Sequence, residues 1–253
     1  MSFDVPADAY GRFMGQYAEP LAAQFVQLAD LRAGQRALDV GCGPGALTAQ
    51  LVERLGTGHV AAIDPSASFV AATKARFPDL DVRSGTAENL PYDDDSFDAA
   101  LAQLVVHFMT DPVVGLREMA RVTRPGGIVA ACVWDHGGAS GPLSTFWAAV
   151  NDIDPGAHDE SDLAGAREGH LVELFESAGM QDIVPSKLTV RREFATFDEW
   201  WEPYTLGVGP AGAHLATLDE AGREALRTRC AQRLPVAPFE ISASAWAVRA
   251  QAR

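Results

Sequence analysis

Ala37-Leu38-Asp39-Val40-Gly41-Cys42-Gly43-Pro44-Gly45 runs directly into Ala46-Leu47-Thr48-Ala49-Gln50-Leu51. An apolar run carrying one acid ends in three alternate glycines, and a helical pattern follows at once. This order predicts a strand, a tight turn and the start of a helix. Glycine permits positive φ and lets a ligand lie against bare backbone. The free N–H groups of a helix start favour electron-rich groups. The Gly-x-Gly-x-Gly spacing differs from the Gly-x-Gly-x-x-Gly fingerprint of dinucleotide folds.

The pattern continues downstream. A second strand, His59 to Ile63, closes on Asp64, and a helix is expected from Ser66 to Phe77, before Pro78. A third strand, Asp81 to Ser84, leads into Gly85-Thr86-Ala87-Glu88-Asn89-Leu90-Pro91. A fourth, Phe97 to Ala102, continues into Gln103-Leu104-Val105-Val106-His107-Phe108-Met109. The helix Pro112 to Val122 then ends in Arg124-Pro125-Gly126-Gly127, which feeds a fifth strand, Ile128 to Trp134. Taken together, Asp39 to Gly45, Asp64, Gly85 to Pro91 and the Arg124–Gly127 turn resemble the class I S-adenosylmethionine (SAM)-dependent methyltransferases. Among these the chain looks most like the small-molecule branch that includes the ubiquinone/menaquinone-biosynthesis type. The resemblance covers residues 35–135 well and the remainder loosely.

The resemblance implies a cofactor, SAM, and a set of residues to hold it. Asp39, Gly41, Gly43 and Gly45 would take its methionine end. Asp64, at the end of the second strand, would take the ribose hydroxyls, the place where related nucleotide folds carry an acid. The competing reading of Asp64 is a cap for the following helix. Ala87, by its backbone, and Glu88 would meet the adenine; for Glu88 the alternative is a solvated turn. Many family members carry an acid where Thr86 stands. Open α/β sheets bind ligands beyond the carboxyl ends of their strands, so Gln103 is expected beside the methionyl group or methyl. His107 is the first candidate for a general base and His136 the second, since histidine exchanges protons near neutrality. The bland alternative for His107 is packing beside Phe108.

Outside this core, residues 7–31 read as one amphipathic helix, with Tyr10, Phe13, Met14, Tyr17, Leu21, Phe25 and Leu28 on one face. In the resembled family an N-terminal helix often caps the site, so Tyr10 or Tyr17 would reach the ligand; the alternative is a helix packed on the sheet edge. The stretch after residue 136 turns rich in Gly, Pro and Asp, with helices expected near 143–150 and 167–178. A sixth strand, Asp182 to Arg192, and a last one, Phe239 to Val248, would pair as an antiparallel hairpin. Between them, residues 194–236 read as a helical lid with helices at 197–204 and 218–234. Trp134, His136, Trp200, Trp201 and Tyr204, with Tyr17, are the expected lining of an acceptor pocket; the alternatives are a satellite core under the long connection for the aromatic cluster at 200–204 and loop packing for Trp134 and His136. The expected fold is α/β: a Rossmann-like, seven-stranded, mostly parallel sheet with an antiparallel C-terminal strand, helices on both faces and the lid. One domain spans 1–253, with a cap helix at 1–33 and the SAM-binding core at 34–136.

Composition narrows the partners. The 253 residues carry a net charge of −14, with 47% hydrophobic residues and only Lys74 and Lys187 as lysines. A nucleic-acid backbone would want a basic face, so no such partner is expected. No apolar run reaches the ~18 residues of a membrane span. A cytoplasmic protein, monomer or homodimer, is expected. Cys42, Cys132 and Cys230 match no zinc spacing, the Asp93-Asp94-Asp95 tract reads as a solvated loop, and no metal is expected. The function read from the chain is methyl transfer to a small, partly apolar or aromatic acceptor. The alternatives are a SAM-binding protein without turnover and a nicotinamide-dependent reductase. The glycine spacing argues against the reductase, as does the absence of a Tyr followed four residues later by Lys.

Overall fold

The computed structural model describes residues 5–253; the first four residues of the expected cap helix lie outside them. The sheet has seven strands in the order β3-β2-β1-β4-β5-β7-β6. These are β1 (Ala37–Val40), β2 (Val60–Asp64), β3 (Asp81–Ser84), β4 (Phe97–Gln103), β5 (Thr123–Trp134), β6 (Gln181–Phe194) and β7 (Phe239–Gln251). β7 runs antiparallel between β5 and β6, and the other pairings are parallel. The expected hairpin is therefore present, with the last strand inserted inside the sheet and β6 at its edge.

Every residue of β1 and β2 is buried, as parallel strands must be when helices cover both faces. On one face Leu38, Val40, Ile63 and Val129 meet α5 (Pro112–Val122) and α7 (His170–Ala178) through Leu116, Met119, Leu171 and Phe175. On the other, Ala37, Ala62 and Leu101 lie under α2 (Gln16–Ala29) and α3 (Ala46–Leu55), through Leu21, Phe25, Leu47 and Leu51. α4 (Ala67–Arg76) follows β2. The strand order reverses between β1 and β4, which opens a crevice at their carboxyl ends.

Two elements differ from the sequence reading. The N-terminal helix is interrupted: α1 (Ala7–Tyr10) passes into a π-helical turn, Gly11–Gly15, before α2. Glycine at both ends of that turn weakens the α-helix there. After β6 come α8 (Phe197–Trp201), a 3₁₀ turn (Glu202–Leu206), α9 (Gly209–Thr217) and α10 (Glu220–Arg233). The glycine-rich stretch 207–212, between the two helices expected from the sequence, thus leads into helix α9. Pro210 starts it, needing no intrahelical donor, and Ala211, Gly212 and Leu215 are buried. α6 (Ser144–Ile153) packs against α10, and Asp152 receives both Arg229 and Arg233 from it.

Candidate functional site

A cavity of about 400 Å³ opens at the crevice. Gly41 and Gly43 after β1, Asp64 at the end of β2, Gly85 to Glu88 after β3 and Gln103 to Val105 at and beyond the end of β4 all border it, and Tyr10 reaches it from the N-terminal helix.

The glycine turn is fastened to the end of β2. Gly41 and Cys42 donate their N–H groups to the Ile63 carbonyl at 2.8 and 3.0 Å. Gly43 N–H donates to Asp64 Oδ2 and Ser66 N–H to Asp64 Oδ1, both at 2.8 Å. Asp64 thus braces both the glycine turn and the start of α4, and it still borders the cavity. Each oxygen of an ionised carboxylate can accept more than one bond. Burial raises the Asp64 carboxyl above its ordinary value, with the two N–H bonds opposing.

The glycines divide their work. A Cβ on Gly41 would lie 2.4 Å from Val105 Cγ2, so the chain's own packing requires glycine there. Gly43, at φ +53°, has open space where its Cβ would be. Gly45, at φ +91°, starts α3 against Phe77 and Thr73 and does not border the cavity.

Asp39 lies behind the turn, almost fully buried. Its Oδ2 accepts from Thr48 Oγ1 at 2.5 Å, and its Oδ1 has no partner. Burial pushes its carboxyl up to about 7; the Thr48 bond opposes and nearby Asp64 adds to the rise. Gln103 donates from Nε2 to the Ala18 carbonyl at 2.9 Å, tying β4 to α2, while its buried Oε1 is unpartnered. Glu88 turns its Oε1 to the Thr110 N–H at 2.7 Å and so braces the loop after β4. Ala87 is buried beside it on the cavity wall.

A second, smaller cavity of about 30 Å³ adjoins the first, and Tyr10, Leu104 and Phe108 border both. His107, Trp134 and His136 line it. His107 sits in the 3₁₀ turn Val106–Phe108, its ring centroid 3.8 Å from that of Phe108 and its Nδ1 unpartnered. Burial, and then His136, hold the His107 imidazole well below its ordinary value. Burial also lowers His136, to about 4. Both rings are therefore neutral at pH 7.

Glu160 also borders this cavity and escaped the sequence reading. It lies in the Gly/Pro/Asp-rich tract after α6, where no spacing connects it to a motif. Its Oε2 accepts from Trp147 Nε1 at 2.9 Å, and its Oε1 is 4.0 Å from His136 Nε2. Burial pushes its carboxyl up to about 7, against the Trp147 bond.

Four of the expected lining residues border neither of these two cavities. Tyr17 packs edge-on to Trp134 at 6.4 Å, and Tyr204 stacks on Phe146 at 4.7 Å. Trp200 and Trp201 join the same aromatic cluster. Large rings gain most by full burial, and that draws them into the core. The segment contributes Val208, Gly209 and Pro210 to the small cavity instead. Cys42, Cys132 and Cys230 are buried free thiols. Among the described residues no three His, Cys, Asp or Glu side chains are grouped to hold a metal, and no helix is long and apolar enough to cross a membrane.

Residues 38–131 match the methyltransferase domain family. An uncharacterised methyltransferase of Mycobacterium tuberculosis is 39% identical over 135 residues, covering 53% of this chain and 52% of that protein. A demethylmenaquinone methyltransferase of Paenarthrobacter aurescens is 29% identical over 182 residues, covering 65% and 69%. The chain spans about half the length of the first of these curated relatives. Among solved structures, a methyltransferase assigned to an antibiotic biosynthesis pathway of Anabaena variabilis superposes with a TM-score of 0.61 at 17% identity, covering 90% of this chain and 96% of that one. That likeness concerns the fold. The strand order, the glycine turn and the domain match agree over the same part of the chain: residues 38–131 are similar to the methyltransferase domain family.

Proposed function

We propose that the chain transfers the methyl group of SAM to a small, partly apolar acceptor, with SAM in the larger cavity and the acceptor beside it where the two cavities meet. The observation that carries this reading is the pair of buried, unpartnered acceptor atoms at the glycine turn, Asp39 Oδ1 and Gln103 Oε1. A buried polar atom without a partner costs on the order of 1–3 kcal/mol. Both are acceptors, so they suit a cationic donor such as an α-ammonium, and the residues fit SAM. Gln103 would receive that group directly, and the cation would in turn favour the charged form of Asp39 behind the turn. Gly43, with its open approach, would take the carboxylate end, and Asp64 the ribose hydroxyls through its remaining lone pairs. Ala87 and the Glu88 backbone would border the adenine, the Glu88 carboxylate being committed to Thr110.

When bound, SAM supplies a methyl group already activated on a sulfonium. The protein therefore has to align and dehydrate. Alignment alone can contribute about 7–11 kcal/mol. The apolar walls at Tyr10, Leu104 and Phe108 exclude water where the cavities meet. This reading assigns His107, neutral and unpartnered at Nδ1, to receive a proton from the acceptor. The test is incubation of the protein with methyl-tritiated SAM and a panel of small apolar phenols and amines. Label in an extracted acceptor, with stoichiometric S-adenosylhomocysteine, supports the reading; tight SAM binding without transfer would favour a binding protein.

A further inference from the structure

The small cavity holds two histidines, one carboxyl group and otherwise largely apolar walls, including Phe13, Met14, Leu143 and Val208. Besides Tyr10, three titratable side chains face a water-sized space in an apolar surround, and they need a reason, since each is costly to bury unused. The rings of His107 and His136 are 6.2 Å apart between centroids, and Glu160 follows at 4.0 Å from His136 Nε2. At about 30 Å³ the cavity suits one water, which would bridge such gaps. Building on the function proposed above, we infer that Glu160 is a positioning residue that, through His136, ends a proton path beginning at His107, and that the acceptor accordingly carries a hydroxyl group on an apolar body.

The chemistry explains why a second group is needed. As the acceptor oxygen bonds the methyl carbon, the carbon–sulfur electron pair stays on sulfur and the hydroxyl proton passes to His107. His107 is a poor place for that proton to remain, because burial disfavours its charged form. Glu160 is a better one. Its carboxylate binds a proton near neutrality, so transfer from His107 by way of the water and His136 runs downhill. The groups acting on Glu160 are the Trp147 indole, His136, and Asp159, which raises its affinity for a proton. Tyr204 is influenced by Glu160 in turn, and Asp135 and Asp159 act on His136. No ion pair to a lysine or arginine holds Glu160 ionised among the described contacts. An amine acceptor would leave this path without a task in the transfer step, since a neutral amine attacks the methyl carbon without first losing a proton.

The experiment measures S-adenosylhomocysteine formation from pH 5.5 to 9 with p-cresol and with p-toluidine as probes. It uses the wild-type chain, Glu160→Gln, Glu160→Asp and His136→Gln, with SAM affinity measured by calorimetry on each. The amide of Glu160→Gln can still accept from Trp147, which protects the fold. The expected result is transfer to p-cresol that rises through a midpoint near pH 7 in the wild type. Glu160→Gln and His136→Gln should lose that rise and at least about ten-fold in turnover, Glu160→Asp should restore part of it, and SAM affinity should stay within about two-fold throughout. An unchanged pH profile in Glu160→Gln would overturn the inference. Transfer to p-toluidine with none to p-cresol, or no transfer to p-cresol by protein that binds SAM, would do the same. Failure of the wild type to bind SAM would instead overturn the underlying function.

Discussion

The two cavities meet at Tyr10, Leu104 and Phe108 yet are built in different ways. The larger one is built around backbone turns at the ends of β1, β2 and β3, held by N–H bonds to Asp64 and by the packing of Gly41 on Val105. The smaller one is made of side chains drawn from distant elements, the π-helical turn, the end of β5, the loop after α6 and the start of α9. A backbone site depends on short local sequence and can persist while its neighbour changes. A side-chain site can be rebuilt residue by residue, which suits the part that chooses an acceptor.

Substitutions should separate the two regions. The largest effect is expected from Trp200→Ala. Its ring is almost fully buried against Tyr204 and Phe197, so removal should cost about 3–5 kcal/mol in denaturant unfolding. SAM affinity in the surviving folded protein should be unchanged; a matching loss would return Trp200 to the ligand site. Next comes His107→Ala, which should slow turnover roughly 10²-fold or more while SAM binds as before. Unaltered turnover would remove His107 from the mechanism.

Asp64→Ala should weaken SAM about ten-fold or more, equivalent to roughly 1.4 kcal/mol, in calorimetric titration. Near-normal binding would show that Asp64 serves only the turn and α4. The smallest effect concerns pH. Glu160 binds its proton more tightly in the folded state, so its contribution is fully present below pH ~4 and is lost as pH rises through about 7. His136, lowered to about 4, acts oppositely: it costs stability as pH falls below about 6.5. Unfolding of Glu160→Gln against wild type between pH 5 and 7 should show the variant gaining relative stability, at most about 1.4 kcal/mol per pH unit. A difference independent of pH would contradict the buried, raised carboxyl.

The same contrast explains what could be read in the sequence. The strand, glycine turn and helix at 37–55, the acid closing β2 and the loop at 85–91 are local patterns; the elements form where expected, and of them Gly41, Gly43, Asp64 and residues 85–88 border the cavity. The sequence did not distinguish the glycines, because the demand on Gly41 comes from Val105, far along the chain. Nor did it reveal that the Glu88 carboxylate would be committed to the Thr110 N–H. Glu160 lacked any signal at all, since its significance is created by burial beside His136 and Trp147. The aromatic run at 200–204 was visible, but apolar periodicity cannot tell a core ring from a pocket ring. Helix α9 was hidden because Gly209 and Gly212 lower helix propensity, and packing overrides that weak preference.

The central claim is that the backbone-built cavity is a SAM site. Titrating the purified protein calorimetrically with SAM, S-adenosylhomocysteine and NADPH tests it most directly. The account predicts micromolar binding of both adenosyl ligands and none of NADPH. Binding of NADPH alone would contradict it.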